Sequence, residues 1–147
     1  MTIDHCDSVF DLQLRNKRDF GANIWKSSEL KELLKKNKHF GKICVYDRKI
    51  LGFCLFSANS EFLELYTIFV DPIFRNNGIA KHFLREGIRY CKKNFLKKII
   101  LEVNEINQLA IKLYKQNHFV LIGKRKDYYN VDGNFFDAIL MQLIIKG

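Results

Sequence analysis

The chain has 147 residues, 48% hydrophobic and 14% aromatic, enough apolar material for one packed domain and too much for wholesale disorder. Lys plus Arg is 25 against 16 for Asp plus Glu, a formal net charge of +9 with a pI near 9.4. That balance favours polyanionic partners such as nucleic acid or a phosphorylated cofactor. Cys6, Cys44, Cys54 and Cys91 lie far apart, and the histidines show no ligand spacing with them, so no metal site is expected. MTIDHCDSVF lacks a signal peptide's basic and apolar segments, and no apolar run approaches the roughly 20 residues of a membrane span. A cytoplasmic protein with no membrane partner is expected.

In chain order, a short strand near residues 2–6 precedes a helix from Ser8 to Asp19, with Phe10 and Leu14 inward. Ser27 or Ser28 caps a second helix that buries Leu30, Leu33 and Leu34. KICVYD and ILGFCLFS form a hairpin around Asp47-Arg48-Lys49, and EFLELYTIFV (61–70) is a third strand. Residues 78–93 repeat apolar groups at the helical period, and KKIILEV is a short strand apolar enough for burial on both faces. Residues 107–117 are a helix, and HFVLIGK and FFDAILMQLII close the chain around a loop containing Asp132-Gly133. Strand 61–70, helix 78–93 and strand 98–103 make a βαβ crossover whose strands are parallel neighbours, while the rest pair mostly antiparallel. No linker or repeat divides the chain, so residues 1–147 read as one mixed α/β domain.

The junction VDPIFRNNGIAKHFL holds the only proline of the chain. A strand ending at Val70 and a helix opening near Gly78 leave unpaired amides and a positive dipole end, an anion site suited to phosphate. Gly78 allows close approach, and Arg75 and Lys81 add charge. Neither G-x-G-x-x-G nor G-K-[ST] occurs, which excludes the common dinucleotide and P-loop cradles.

V-D-P followed by R-x-x-G-x-A resembles the pyrophosphate motif [QR]-x-x-G-x-[GA] of the GNAT acetyltransferases. The resemblance implies the GNAT fold, with acetyl-CoA wedged where strands 61–70 and 98–103 splay apart. It places the pyrophosphate on the amides of Asn76, Asn77, Gly78, Ile79, Ala80 and Lys81, and the pantetheine arm on the backbone of Ile68, Phe69 and Val70. LEVNEINQLAIKLYKQNHFVLIGKRKDYY resembles the RimI branch of that family, in which LEVR-x-x-N-x-x-A-x-x-LY-x-x-x-GF leads to a basic pair and N-YY. Asp132-Gly133 and Asp137-Ala138 match its closing DG and DA. Asn104, His118 and Ile24-Trp25-Lys26 stand where that branch has Arg, Gly and PWS.

The residues point to acetyl transfer by themselves as well. Glu102 is a carboxylate in an apolar strand, costly there unless used or solvated. Asn107 and Tyr114 lie about two turns apart on one helix face. Transfer requires a base to deprotonate the amine and a donor for the departing thiolate. By the resemblance, Glu102 is the base, Tyr114 the acid and Asn107 a CoA contact, and the acceptor is the N-terminal alanine of a small-subunit ribosomal protein. A lysine side chain or small amine is the second reading. A basic RNA- or ribosome-binding module is the third. Glu64 and Tyr66 lie on one side of their strand by parity, and Glu64 could meet a cationic substrate terminus or stand as a surface carboxylate.

Overall fold

The computed structural model describes residues 1–20 and 23–147. Its helices are α1 (Cys6–Arg15), α2 (Lys17–Phe20), α3 (Ser27–Leu34), α4 (Ile79–Lys93) and α5 (Gln108–Gln116). Its strands are β1 (His39–Tyr46), β2 (Lys49–Ala58), β3 (Phe62–Val70), β4 (Lys98–Asn104), β5 (Val120–Val131) and β6 (Asn134–Ile144). They form one six-stranded sheet in the order β1-β2-β3-β4-β6-β5. Only β3 and β4 are parallel, joined through α4 as the crossover requires.

The first residues are not a strand. Ile3–His5 is a 3-10 turn running into α1, because Thr2 turns its amide onto His5 Nδ1 at 2.9 Å and its carbonyl onto the His5 amide at 3.1 Å. The expected long helix is broken at Asn16, whose side-chain amide donates to the Leu12 carbonyl at 2.9 Å. Its buried stripe is Cys6, Val9, Leu12 and Gln13, while Phe10 and Leu14 are only partly covered. Gln13 is drawn inward because its amide clamps the backbone of Trp25, donating to the carbonyl at 3.0 Å and accepting from the N–H at 2.8 Å. Neither serine caps α3. Lys26 is the cap, its amide donating to Glu29 at 2.9 Å, and Ser27 in the first turn bonds Asp7 instead.

Both hairpin turns use two residues in left-handed conformation, Asp47-Arg48 at φ 47° and 61° and Asp132-Gly133 at φ 51° and 83°. The second hairpin is longer than expected. β5 continues past Lys124 to Val131, with a register break between Arg125 and Tyr129.

One core lies between the sheet and α4 and α5, centred on Phe56, Leu63, Leu65, Phe83, Leu84, Ile99, Leu101 and Met141. The other packs Cys6, Val9, Leu12 and Leu30 onto Phe53, Leu55 and Phe69. β2 feeds both faces and is buried from Leu51 to Phe56. β4 differs from the two-faced burial expected of it. Ile99, Leu101 and Val103 are buried, but Lys98, Ile100, Glu102 and Asn104 are only partly covered.

Candidate active site

The site begins where the sheet splits. β3 and β4 share four aligned pairs, Phe62 with Lys98 through Leu65 with Leu101, and none beyond. At that point β3 carries a bulge: Leu65 pairs with Phe56 and Thr67 with Leu55, leaving Tyr66 without a partner on β2. The extra residue reverses the alternation. Leu63 and Leu65 enter the α4 core before the bulge, and Val70 enters it afterwards, while Phe69 faces the α1 side. Ile68, Phe69 and Val70 therefore run on with β2 on one side and a gap toward β4 on the other.

At the far end of the gap the chain turns through Pro72–Phe74, with the Asp71 carboxylate accepting the Ile73 amide at 3.1 Å, and enters α4. The first internal bond of α4 joins the His82 amide to the Gly78 carbonyl at 2.9 Å. Among the described residues, no protein group accepts the amides of Asn76, Asn77, Gly78, Ile79, Ala80 or Lys81. Asn76 and Gly78 hold this row open with φ 65° and 77°. A Cβ at Gly78 would meet nothing within 4 Å, so the space over the row is free. A cleft of about 380 Å³ lined by Cys44, Val45, Gly78 and His82 opens beside it.

The side chains of this junction are less available than its amides. Asn77 Nδ2 donates to the carbonyls of Phe74 and Arg75 at 2.9 and 3.2 Å. Arg75 folds back, Nε donating to the Val70 carbonyl at 2.9 Å, its guanidinium 5.5 Å from the Phe69 ring and 3.4 Å from the Asp19 carboxylate. Lys81 is exposed beside the row.

At the near end, Glu102 is mostly enclosed, and its Oε1 accepts from Arg125 Nε at 3.0 Å. Glu64 is half-buried on the neighbouring strand, and its carboxyl is raised above the usual range by burial first and by the Glu102 charge second. Tyr114 is buried against Phe119, ring centroids 5.6 Å apart. Burial, and then the nearby Tyr129 phenol, raises the Tyr114 hydroxyl well above the ordinary phenol value. Tyr129 is itself pushed up to about 12 by burial, Glu102 and Tyr128. Tyr129 thus lies within electrostatic reach of both Glu102 and Tyr114.

Asn107 caps α5, its Oδ1 accepting the Ala110 amide at 3.2 Å, so the side-chain amide is the part left to meet a ligand. His118 stands at the C-terminus of α5 with φ 69°, the left-handed position that favours glycine. Asp137 ties the strand ends together: its amide donates to Glu105 at 2.9 Å and its carboxylate accepts the Asp127 amide at 3.0 Å.

Glu102 stands at the near end of the gap and the amide row at the far end, Tyr129 is within electrostatic reach of Glu102 and Tyr114, and Asn107 opens α5. The sequence reading missed Arg125 and Tyr129. Strand alternation does not aim Arg125 at Glu102, because β5 breaks register between Arg125 and Tyr129. Among the described residues no cluster of His, Cys, Asp or Glu is arranged to hold a metal, and no helix is long and apolar enough to cross a membrane.

The chain is 29% identical over 131 residues to an uncharacterized N-acetyltransferase of Methanocaldococcus jannaschii, covering 81% of this chain and 58% of that one. It is 30% identical over 98 residues to the [ribosomal protein bS18]-alanine N-acetyltransferase of Escherichia coli K12, covering 67% and 66%. The chain thus spans about 60% of the length of these curated relatives. The crystal structure of the ribosomal-protein-S18-alanine N-acetyltransferase from Escherichia coli superposes with a TM-score of 0.86 at 22% identity, over 100% of this chain and 92% of that one. The acetyltransferase (GNAT) family model matches residues 6–119, and the chain belongs to that family.

Proposed function

We propose that this acetyltransferase moves the acetyl group of acetyl-CoA directly to an N-terminal α-amine, that of an alanine-starting small-subunit ribosomal protein. The observation that carries the reading is the enclosed carboxylate of Glu102 standing where β3 and β4 part, with a buried phenol across Tyr129 from it. Relatives named for bS18-alanine acetylation supply the acceptor.

Acetyl-CoA brings the activated thioester. The amides of Asn76 to Lys81, with the dipole of α4 behind them, suit its pyrophosphate. Lys81, and Arg75 once turned outward, add positive charge, and Asn107 offers its amide. The side of Ile68, Phe69 and Val70 away from β2, once Arg75 leaves the Val70 carbonyl, can pair with the pantetheine amides and polarise the thioester carbonyl. Glu102, held in place by Arg125, takes a proton from the amine, directly or through water, so that nitrogen has a lone pair to attack with. As the N–C bond forms and the C–S bond breaks, Tyr114 donates its hydrogen toward the sulfur. The second proton shed by the acylated nitrogen passes through water to restore the phenol, leaving amide, CoA thiol and protonated Glu102. The raised pKa of Tyr114 keeps the phenol protonated and ready for this at neutral pH.

Peptides starting with Ala, Ser, Met or Gly, and a blocked peptide with an internal lysine, are to be incubated with the protein and acetyl-CoA and followed by mass spectrometry. Acetylation of the alanine peptide first is the expected result. Acetylation of the lysine peptide alone would overturn the α-amine assignment, and acetylation of none would overturn the function.

A further inference from the structure

This inference rests on the acetyl-transfer reading and concerns its acceptor side. Two strands present carboxylates where the gap opens: Glu64 inside the last paired stretch and Glu102 one residue past it. Leu63, Leu65, Leu101 and Val103 fill the α4 core, so both carboxylates stand on the opposite face. Arg125 pairs with Glu102, and among the described residues the Glu64 carboxylate has no ion pair or side-chain hydrogen bond of its own. Burial, the Glu102 charge and Arg125 all act on the Glu64 carboxyl, which puts the three groups in one neighbourhood. One guanidinium against two carboxylates leaves a negative charge with no protein partner, and such a charge is costly when half-buried.

A second observation comes from the same face. His39 pairs with Ser57 and Ser57 with Glu64, placing the three in one row across β1, β2 and β3. His39 is 8% exposed, yet its enclosed Nδ1 has no hydrogen-bond partner. Its ring lies 5.8 Å from Tyr66, the bulge residue, and Tyr66 stacks on Trp25 at 6.0 Å and 12°. Carboxylate, aromatic faces and an unpartnered polar nitrogen suit the start of a peptide, where an ammonium is followed by an amide.

We propose that Glu64 docks the acceptor: its carboxylate holds the peptide's α-ammonium beside the Tyr66–Trp25 wall, with His39 Nδ1 toward the first peptide group. Glu102 then takes the proton. Glu64 binds without taking part in bond making, so its loss acts on acceptor affinity rather than turnover.

The test uses wild type and Glu64→Gln, with Glu64→Asp as the conservative variant. Glu64→Gln should raise KM for an alanine-starting peptide about tenfold with kcat within about threefold, the effect of losing one hydrogen bond to a charged group. Glu64→Asp should recover part of it. The thermal shift given by acetyl-CoA should not change, which shows the variants folded. In calorimetric titrations onto the CoA-bound protein, wild type should prefer the free-amine peptide to its N-acetylated form, and Glu64→Gln should lose that preference. Unchanged peptide KM in Glu64→Gln, or a fall in kcat alone, overturns the docking role while leaving the acetyl-transfer reading intact. A wild type that acetylates no peptide overturns that reading and the docking role with it.

Discussion

Replacing Gly78 by alanine separates what that glycine does for folding from what it does for ligand binding. The residue sits at φ 77°, and the added methyl would touch no heavy atom within 4 Å. The folding cost is backbone strain alone, roughly 1–2 kcal/mol for an L-residue held left-handed. For a domain of this size that lowers Tm by about 2–8 °C. The methyl enters free space at Gly78, in the middle of the unpaired amides of Asn76 to Lys81 that are proposed to hold the pyrophosphate. Acetyl-CoA at about 100 times Kd stabilises the wild type by about 2.7 kcal/mol, or about 5–11 °C on the same scale. Gly78→Ala should lose most of this shift, and Gly78→Asp, which adds a negative charge, should lose all of it. Differential scanning fluorimetry with and without acetyl-CoA reads both quantities, and calorimetry gives Kd. A Gly78→Ala protein with a lowered Tm and an undiminished ligand shift would show that the pyrophosphate does not lie over Gly78.

Glu102→Gln should lower kcat on the alanine peptide about 10²-fold or more near neutral pH while sparing the acetyl-CoA thermal shift; an unchanged pH–rate profile would remove Glu102 as the base. Tyr114→Phe keeps the ring against Phe119 and deletes the hydroxyl, so kcat should fall about 10- to 100-fold, the range of a hydrogen bond to a charged group. Lost acetyl-CoA affinity at constant kcat would make Tyr114 a cofactor contact instead. Burial, Lys38 and Lys36 hold His39 below its ordinary value of 6.5. The unfolded chain therefore takes up the proton first as pH falls, and stability is lost as pH drops through that value. His39→Phe should flatten this slope in urea unfolding at about pH 7.5 and pH 5.5, where His39 is expected to titrate; equal slopes would mean that His39 does not contribute.

Most of the sheet was legible because its signals are local. The 3.6 period of residues 79–93, the paired turn residues at 47–48 and 132–133, and the apolar run into Val70 each specify their own element. The cradle at Gly78 was legible for the same reason, since unpaired amides follow from a helix start and need no tertiary partner. Errors came where a distant residue decided the outcome. Gln13 is buried because Trp25 offers its backbone, and Ser27 fails to cap because Asp7 takes its hydroxyl. Parity does put Glu64 and Tyr66 on one side, but it does not foresee the bulge that leaves Tyr66 without a partner on β2. The Arg125–Glu102 pair crosses a register break on β5, and no spacing rule reaches over it.

Among the described residues, the four aligned pairs between β3 and β4 are also the only strand pairing that joins β1-β2-β3 to β4-β6-β5. Mechanically the sheet is two leaflets on a short seam. Val70 lies five residues beyond Leu65, a lever arm of roughly 17 Å at strand rise, whereas Glu64 lies in the seam and Glu102 at its rim. A small rotation of one leaflet on the other opens or narrows the nucleotide end by a large distance and barely moves the two carboxylates. On the proposed mechanism, the chemistry sits at the fulcrum of this seam and the cofactor enters at the end of the longer arm.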